Sequence, residues 1–189
     1  GLSAEEIEST YNMSRRIHAE EELLANASLV ITSTRNEIES QYGLYNYYDP
    51  DCMAVIPPGT DLDMFYPPEE HESFDYLDRL KCFLTHPEKP IVLAISRPDE
   101  RKNISVLLDA FGESETLRDA ANLLIIAGSR DDIRDLEDGA RSVLTELLLL
   151  IDSYNLYGRV AMPKEHGPGE ISMVYRAVSA AGGVFVNPA

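Results

Sequence analysis

The chain is poor in cysteine and in positive charge, and it has no apolar run approaching the roughly 20 residues that cross a bilayer. Two cysteines, Cys52 and Cys82, are too few for a disulfide framework, and neither has a second ligand nearby at metal spacing. Two unpaired thiols suit a reducing compartment. With 16 Lys+Arg against 33 Asp+Glu the formal charge is -17, which repels phosphate backbones and anionic headgroups and argues against nucleic-acid and membrane-surface roles. The opening residues, GLSAEEIEST, carry acids where a secretion signal carries positive charge, so a cytoplasmic location is expected. GxGxxG is absent: HGPGE (166–170) has two of its glycines and stops, which weakens a dinucleotide oxidoreductase reading. The absence of GxxxxGK[ST] removes the commonest NTPase reading. His18, His71, His86 and His166 show no HxxxH or HxH spacing, so no histidine metal site is expected.

What is present is enough for a folded protein. Hydrophobic residues make up 44% of 189 positions, sufficient for the core of one large or two small domains. Residues 4–27 lack Gly and Pro and are rich in Glu and Ala, which predicts a helix with Ser3 as its cap. SLVITST (28–34) reads as a buried strand, residues 36–42 as helical, and MAVIPP (53–58) as a strand stopped by Pro57, Pro58 and Gly59. The stretch 60–89 is acidic and proline-punctuated, a linker with a short helix near 76–83.

From Pro90 strands and helices alternate: IVLAIS, NISVLLDAFGE, NLLIIAG, RSVLTELLLLIDSYN, RVAMP, ISMVYRAVSA and GVFVNPA. In the long helix Val143, Leu147 and Ile151, with Leu144 and Leu148 beside them, form a wide apolar stripe. The alternation predicts an α/β fold with a parallel, doubly wound sheet, whose ligands bind just beyond the carboxyl ends of the strands. Three segments follow: 1–59, the linker 60–89, and 90–189, whose sheet is expected to be incomplete.

Of the candidate sites, SRPDERKN (96–103) is the strongest. Arg97, Arg101 and Lys102 gather three cations in an acidic chain, at a strand-to-helix turn that favours an anion such as a diphosphate. A solvated loop in which they balance Asp99 and Glu100 explains the same residues. In AGSRDD, Gly128 permits close backbone approach and Ser129 offers a hydroxyl, although an ordinary tight turn suffices. Asp61 and Asp63 resemble an Asp-x-Asp metal pair, but acids in an acidic linker are ordinarily solvated. His166 is the one histidine placed after a strand of the regular unit. Arg15 and Arg16 can clamp a phosphorylated sugar, or form i,i+4 pairs with Glu20 and its neighbours.

Taken together, SRRIHAEE, LVITSTRNEIESQYGLY, VIPPGTDLDMF, VLAISRPDERKNISVLLDAFGE, NLLIIAGSRDD, LLLLIDSYNLYGRVAMPKEH and VYRAVSAAGGVFVNPA closely resemble the central part of the sucrose-phosphate synthase family. Its members are retaining glycosyltransferases built from two facing Rossmann-like domains, the GT-B architecture. Sucrose synthase shares several of these stretches, while SRRIHAEE is more similar to the phosphate-accepting enzyme. Mannosylfructose-phosphate synthase, which uses GDP-mannose, is a close relative. The resemblance implies that 1–59 is the end of the acceptor-binding domain and 90–189 the first half of the nucleotide-sugar-binding domain, both incomplete. It implies transfer of glucose from UDP-glucose to fructose 6-phosphate with no metal or other cofactor. By the resemblance, Arg97 and Lys102 grip the donor diphosphate and stabilise the leaving nucleotide. Gly128, Ser129 and the backbone at Met162 and Pro163 approach base and ribose, and Arg15 and Arg16 lie in the stretch that contacts the acceptor phosphate. The family's acidic donor-sugar pair follows the NPA segment, and its glycine-rich loop and acceptor-site histidine precede Gly1. An internal piece of a longer enzyme, inactive alone and prone to self-association through uncovered apolar surface, is therefore expected. The alternative of another class is a non-catalytic Rossmann-like binding module.

Overall fold

A computed structural model describes residues 3–70, 72–167 and 169–189. His71 and the Pro168 of HGPGE lie outside the described residues. The chain divides into two compact units, Gly1–Asp61 and Leu62–Ala189.

In the first unit, helices α1 (Ala4–Tyr11) and α2 (Met13–Asn26) replace the single helix expected over 4–27. The break is Asn12, whose φ of 50° is left-handed, a conformation Asn tolerates better than most residues. Ser3 caps α1 through a reciprocal pair with Glu6, as expected. Glu8 then caps α2 from outside, accepting from both the backbone N and the Oγ of Ser14 at 2.9 Å. Strand β1 (Val30–Thr32) pairs in parallel with β2 (Met53–Val55), in the register Val30↔Met53 to Thr32↔Val55. A wide π-type turn (Glu37–Gln41) and a 3-10 turn (Tyr42–Leu44) stand where a regular helix was expected. Glu20 pairs with the Tyr45 hydroxyl.

The second unit is built on a four-stranded parallel sheet: β3 (Ile91–Ile95), β4 (Asn122–Ile126), β5 (Val160–Ala161) and β6 (Val184–Phe185), in the order β5-β4-β3-β6. The chain steps outward from β3 through β4 to β5, then returns to the other side of β3 for β6. Helices α4 (Ile104–Glu113), α6 (Asp138–Ser153) and α7 (Glu170–Ala180) make the crossovers, with a short α5 (Glu115–Ala120) after α4. All five residues of β4 are buried. Leu123 and Ile125 face one core with α4 and α6, whereas Leu124 and Ile126 face a second core with α7 and α3 (Asp75–Leu80). Successive strand residues point to opposite faces, so a strand covered on both must be apolar throughout, as β4 largely is.

Two expectations change here. Leu148 is 46% exposed although Val143, Leu144, Leu147 and Ile151 are buried. At about 100° per residue the buried four fall within an arc of roughly 100°, and Leu148 lies about 40° beyond its edge. The stretch 60–89 was read as a linker, but its described residues from Leu62 onward belong to the second unit. Tyr76 and Leu80 are buried against the sheet, and Arg176 of α7 pairs with Glu72 at 3.0 Å and donates to the Met64 carbonyl at 3.2 Å. Its guanidinium also covers the Tyr66 ring at 4.3 Å. Glu72, one of the acids that made the segment look solvated, thus meets a specific cation, and Arg79 of the same segment pairs in turn with Glu170 of α7. No helix among the described residues is long and apolar enough to cross a membrane.

Candidate functional site

The winding reverses between β3 and β6, and doubly wound folds bind ligands beyond the carboxyl edge of the sheet at such a point. Beyond β3, Ser96 N donates to Ile126 O at 3.1 Å, and the chain then bends away. Asp99 organises the bend by accepting from the backbone N of Arg101 at 3.0 Å and from its guanidinium at 2.6 and 3.1 Å. This fork holds the Asp99 carboxyl down at about 2. Of the three cations Arg101 is therefore neutralised within the loop. Arg97, exposed, and Lys102, half-buried, pair with no described carboxylate.

A short 3-10 turn (Glu100–Lys102) leads into α4 through Asn103, again left-handed with φ 50°. Asn at this position normally caps the helix with its side chain. Here its Nδ2 donates instead to the Pro188 carbonyl beyond β6, at 3.3 Å, and α4 has no side-chain cap. The start of α4 thus follows directly on Lys102, and the segments beyond β3 and β6 are tied together by the Asn103 side chain.

The turn after β4 adjoins the same loop. Gly128 has φ 70°, and a Cβ there would meet only Pro98 Cδ at 3.6 Å, so backbone conformation rather than crowding calls for glycine. Ser129 lies within 3.5 Å of His166 N and O, and the two line a cleft of about 550 Å³ with Arg130 and Glu165. Arg97 lines a neighbouring depression of about 500 Å³ running to Gly139 at the start of α6, and Lys102 lines neither. The structure brings Arg97 and Gly128 to adjacent turns and gives Ser129 its own cleft. The Met162 side chain belongs to the core, and the carbonyls of Met162 and Pro163 accept from Arg130.

Arg15 and Arg16 belong to the first unit and are exposed. The expected i,i+4 pairing of these arginines with Glu20 and its neighbours is not formed, and Glu20 accepts from the Tyr45 hydroxyl. No group of three or more His, Cys, Asp or Glu among the described residues is placed to hold a metal ion. Sequence reasoning missed Asn103, which reads as an ordinary cap, and Arg130, which nothing in the sequence distinguishes from its exposed neighbours.

The order β5-β4-β3-β6, with helices on both faces and cations at the reversal, defines a Rossmann-like half of the GT-B class. A glycosyltransferase from Rickettsia africae ESF-5 shares the fold, with TM-score 0.59 and 19% identity over 86% of this chain and 39% of that one. No family model matches the chain. In sequence it is similar over its full length to the probable sucrose-phosphate synthase 1 of Oryza sativa subsp. indica, at 43% identity, and to the sucrose-phosphate synthase of Zea mays, at 42%. Sucrose-phosphate synthase 4 of Arabidopsis thaliana is 39% identical. The chain is thus similar throughout to sucrose-phosphate synthases, and it spans 21% to 22% of the length of these relatives.

Proposed function

We propose that the chain is the part of a sucrose-phosphate synthase that supplies the diphosphate grip for a nucleotide-sugar donor. In the whole enzyme, glucose passes from UDP-glucose to the 2-hydroxyl of fructose 6-phosphate, giving sucrose 6-phosphate and UDP. The observation that carries this reading is the two cations without described carboxylate partners, Arg97 and Lys102, in the loop that runs into the start of α4, which has no side-chain cap. Breaking the glycosyl–phosphate bond builds charge on the departing diphosphate, and fixed cations with backbone N–H groups stabilise that charge without reorganising. No metal or other cofactor is invoked. Gly128 and Ser129 approach the nucleoside from β4, and the backbone at Met162 and Pro163 approaches it from β5. Arg15 and Arg16, free of carboxylate partners among the described residues, suit the acceptor's phosphate.

Calorimetric titration of the chain with UDP tests the grip. Each charge-assisted contact contributes roughly 1.5–3 kcal/mol, so Arg97→Ala and Lys102→Ala are each expected to weaken binding by at least about tenfold, with the loss shrinking at high salt. Equal UDP affinity in the unsubstituted chain and both variants would overturn the reading.

A further inference from the structure

Arg130 is an uncommon arginine. It is only 8% exposed, and no described carboxylate pairs with it. Burial pushes its pKa down, and its Nε is buried without a hydrogen-bond partner among the described residues. A buried cation normally requires a counter-charge or a full set of acceptors. Arg130 instead faces three consecutive carbonyls of the loop after β5. Its Nη2 lies 3.5 Å from Met162 O, its Nη1 donates to Pro163 O at 3.2 Å, and its backbone N donates to Lys164 O at 2.9 Å. The neighbouring residues strengthen the bridge, with Lys164 Nζ donating to Asp131 O at 2.8 Å and Ser129 Oγ meeting His166.

This arrangement is a clasp between two loops at the carboxyl edge of the sheet. The loops enter from adjacent parallel strands of which β5 is only two residues long, so the sheet itself gives the second loop little support. The clasp also fixes peptide orientation. In a trans peptide the N–H points opposite to the C=O, so turning the Pro163 and Lys164 carbonyls toward Arg130 turns the Lys164 and Glu165 N–H groups away from it. Resting on the proposed nucleotide reading, we infer that Arg130 is a positioning residue for the nucleoside: it touches no ligand and holds the 162–166 backbone in the orientation that receives the base and ribose, leaving the diphosphate to Arg97 and Lys102.

The division of labour makes the test specific. The 189-residue chain, Arg130→Met and Arg130→Lys are titrated with UDP and with inorganic pyrophosphate, and folding is checked by thermal melting. The unsubstituted chain is expected to prefer UDP. Arg130→Met is expected to weaken UDP by about tenfold or more while pyrophosphate stays within about twofold, because the two guanidinium hydrogen bonds to the Met162 and Pro163 carbonyls are lost and only the backbone bond to Lys164 remains. Arg130→Lys keeps the charge without the planar fork and is expected to fall between, and it carries the test if the Met variant does not fold. A folded variant that loses both affinities in parallel, or keeps the full preference for UDP, overturns the clasp and leaves the diphosphate grip standing. Absence of UDP binding by the unsubstituted chain overturns both, and is told apart because it needs no substitution to appear.

Discussion

The two units use the same alternation of strand and helix and reach opposite degrees of burial. Among the described residues of the first unit only Thr32 and Ile38 are buried, whereas every other buried residue belongs to the second. Neither α1 nor α2 buries a residue, and Leu23 and Leu44 are 70% and 85% exposed. Hydrophobic patterning decides which elements form, but burial requires neighbours on each face. Two strands provide few, and four strands with helices on both sides provide many.

The largest expected consequence is in amide exchange. Residues 123–126 are expected to open only with global unfolding, at about 5 kcal/mol or more, while residues 30–32 open at a cost near zero. Equal protection of the two sheets, read by hydrogen–deuterium exchange, would erase the contrast. Next in size is Phe111→Ala, which removes a fully buried ring from the α4–α6 core and is expected to destabilise the second unit by about 3–5 kcal/mol. Ile38→Ala is expected to leave the denaturation midpoint of that unit unchanged, and a shift of both midpoints would show that the units unfold together. A smaller effect belongs to Gly183, where a Cβ would fall on the Ile91 carbonyl oxygen and within 3.0 Å of the Val178 oxygen. Gly183→Ala is expected to cost about 1–3 kcal/mol, read by urea titration, as β6 is pushed from β3.

The smallest expected effect lies in the loop after β3 rather than in the core beneath it. Asp99 is expected to titrate near 2 by NMR, and Arg101→Ala should return it toward 3.8. Because the folded value is depressed, the pair's contribution is complete above the ordinary carboxylate value of 3.8 and is lost as the pH falls through about 2. An Asp99 that titrates near 3.8 in the unsubstituted chain would show that the fork does not persist in solution.

Much of the second unit was legible because its strands are buried on both faces and read as continuous apolar runs, as LLII in β4 does. Boundaries were less so. The strand expected over 28–34 is three residues long, and GVFVNPA keeps only Val184–Phe185 in the ladder, since pairing needs a partner that sequence does not reveal. The break at Asn12 carried one local signal, the residue type itself, in an otherwise helical run. At the candidate site, Arg97 and Lys102 were visible as cations after a strand, but their separation from Arg101 was not. It depends on Asp99 folding back two residues to take one guanidinium. Arg130 was hidden for a similar reason, because the carbonyls it meets lie more than thirty positions away.

Asn103 gives α4 a property that ordinary helices lack. Its Nδ2 donates to Pro188 and its side chain caps no helix N–H, so under the proposed reading a bound diphosphate takes the role that a capping side chain has elsewhere. Ligand binding and completion of the first turn then become one equilibrium. Whatever the diphosphate contributes as a cap, about 1 kcal/mol for a typical one, appears as thermal stability that grows with the logarithm of ligand concentration once the site is nearly filled. Under the same reading the helix is most fully folded with a diphosphate bound, and its first turn loosens when the diphosphate leaves.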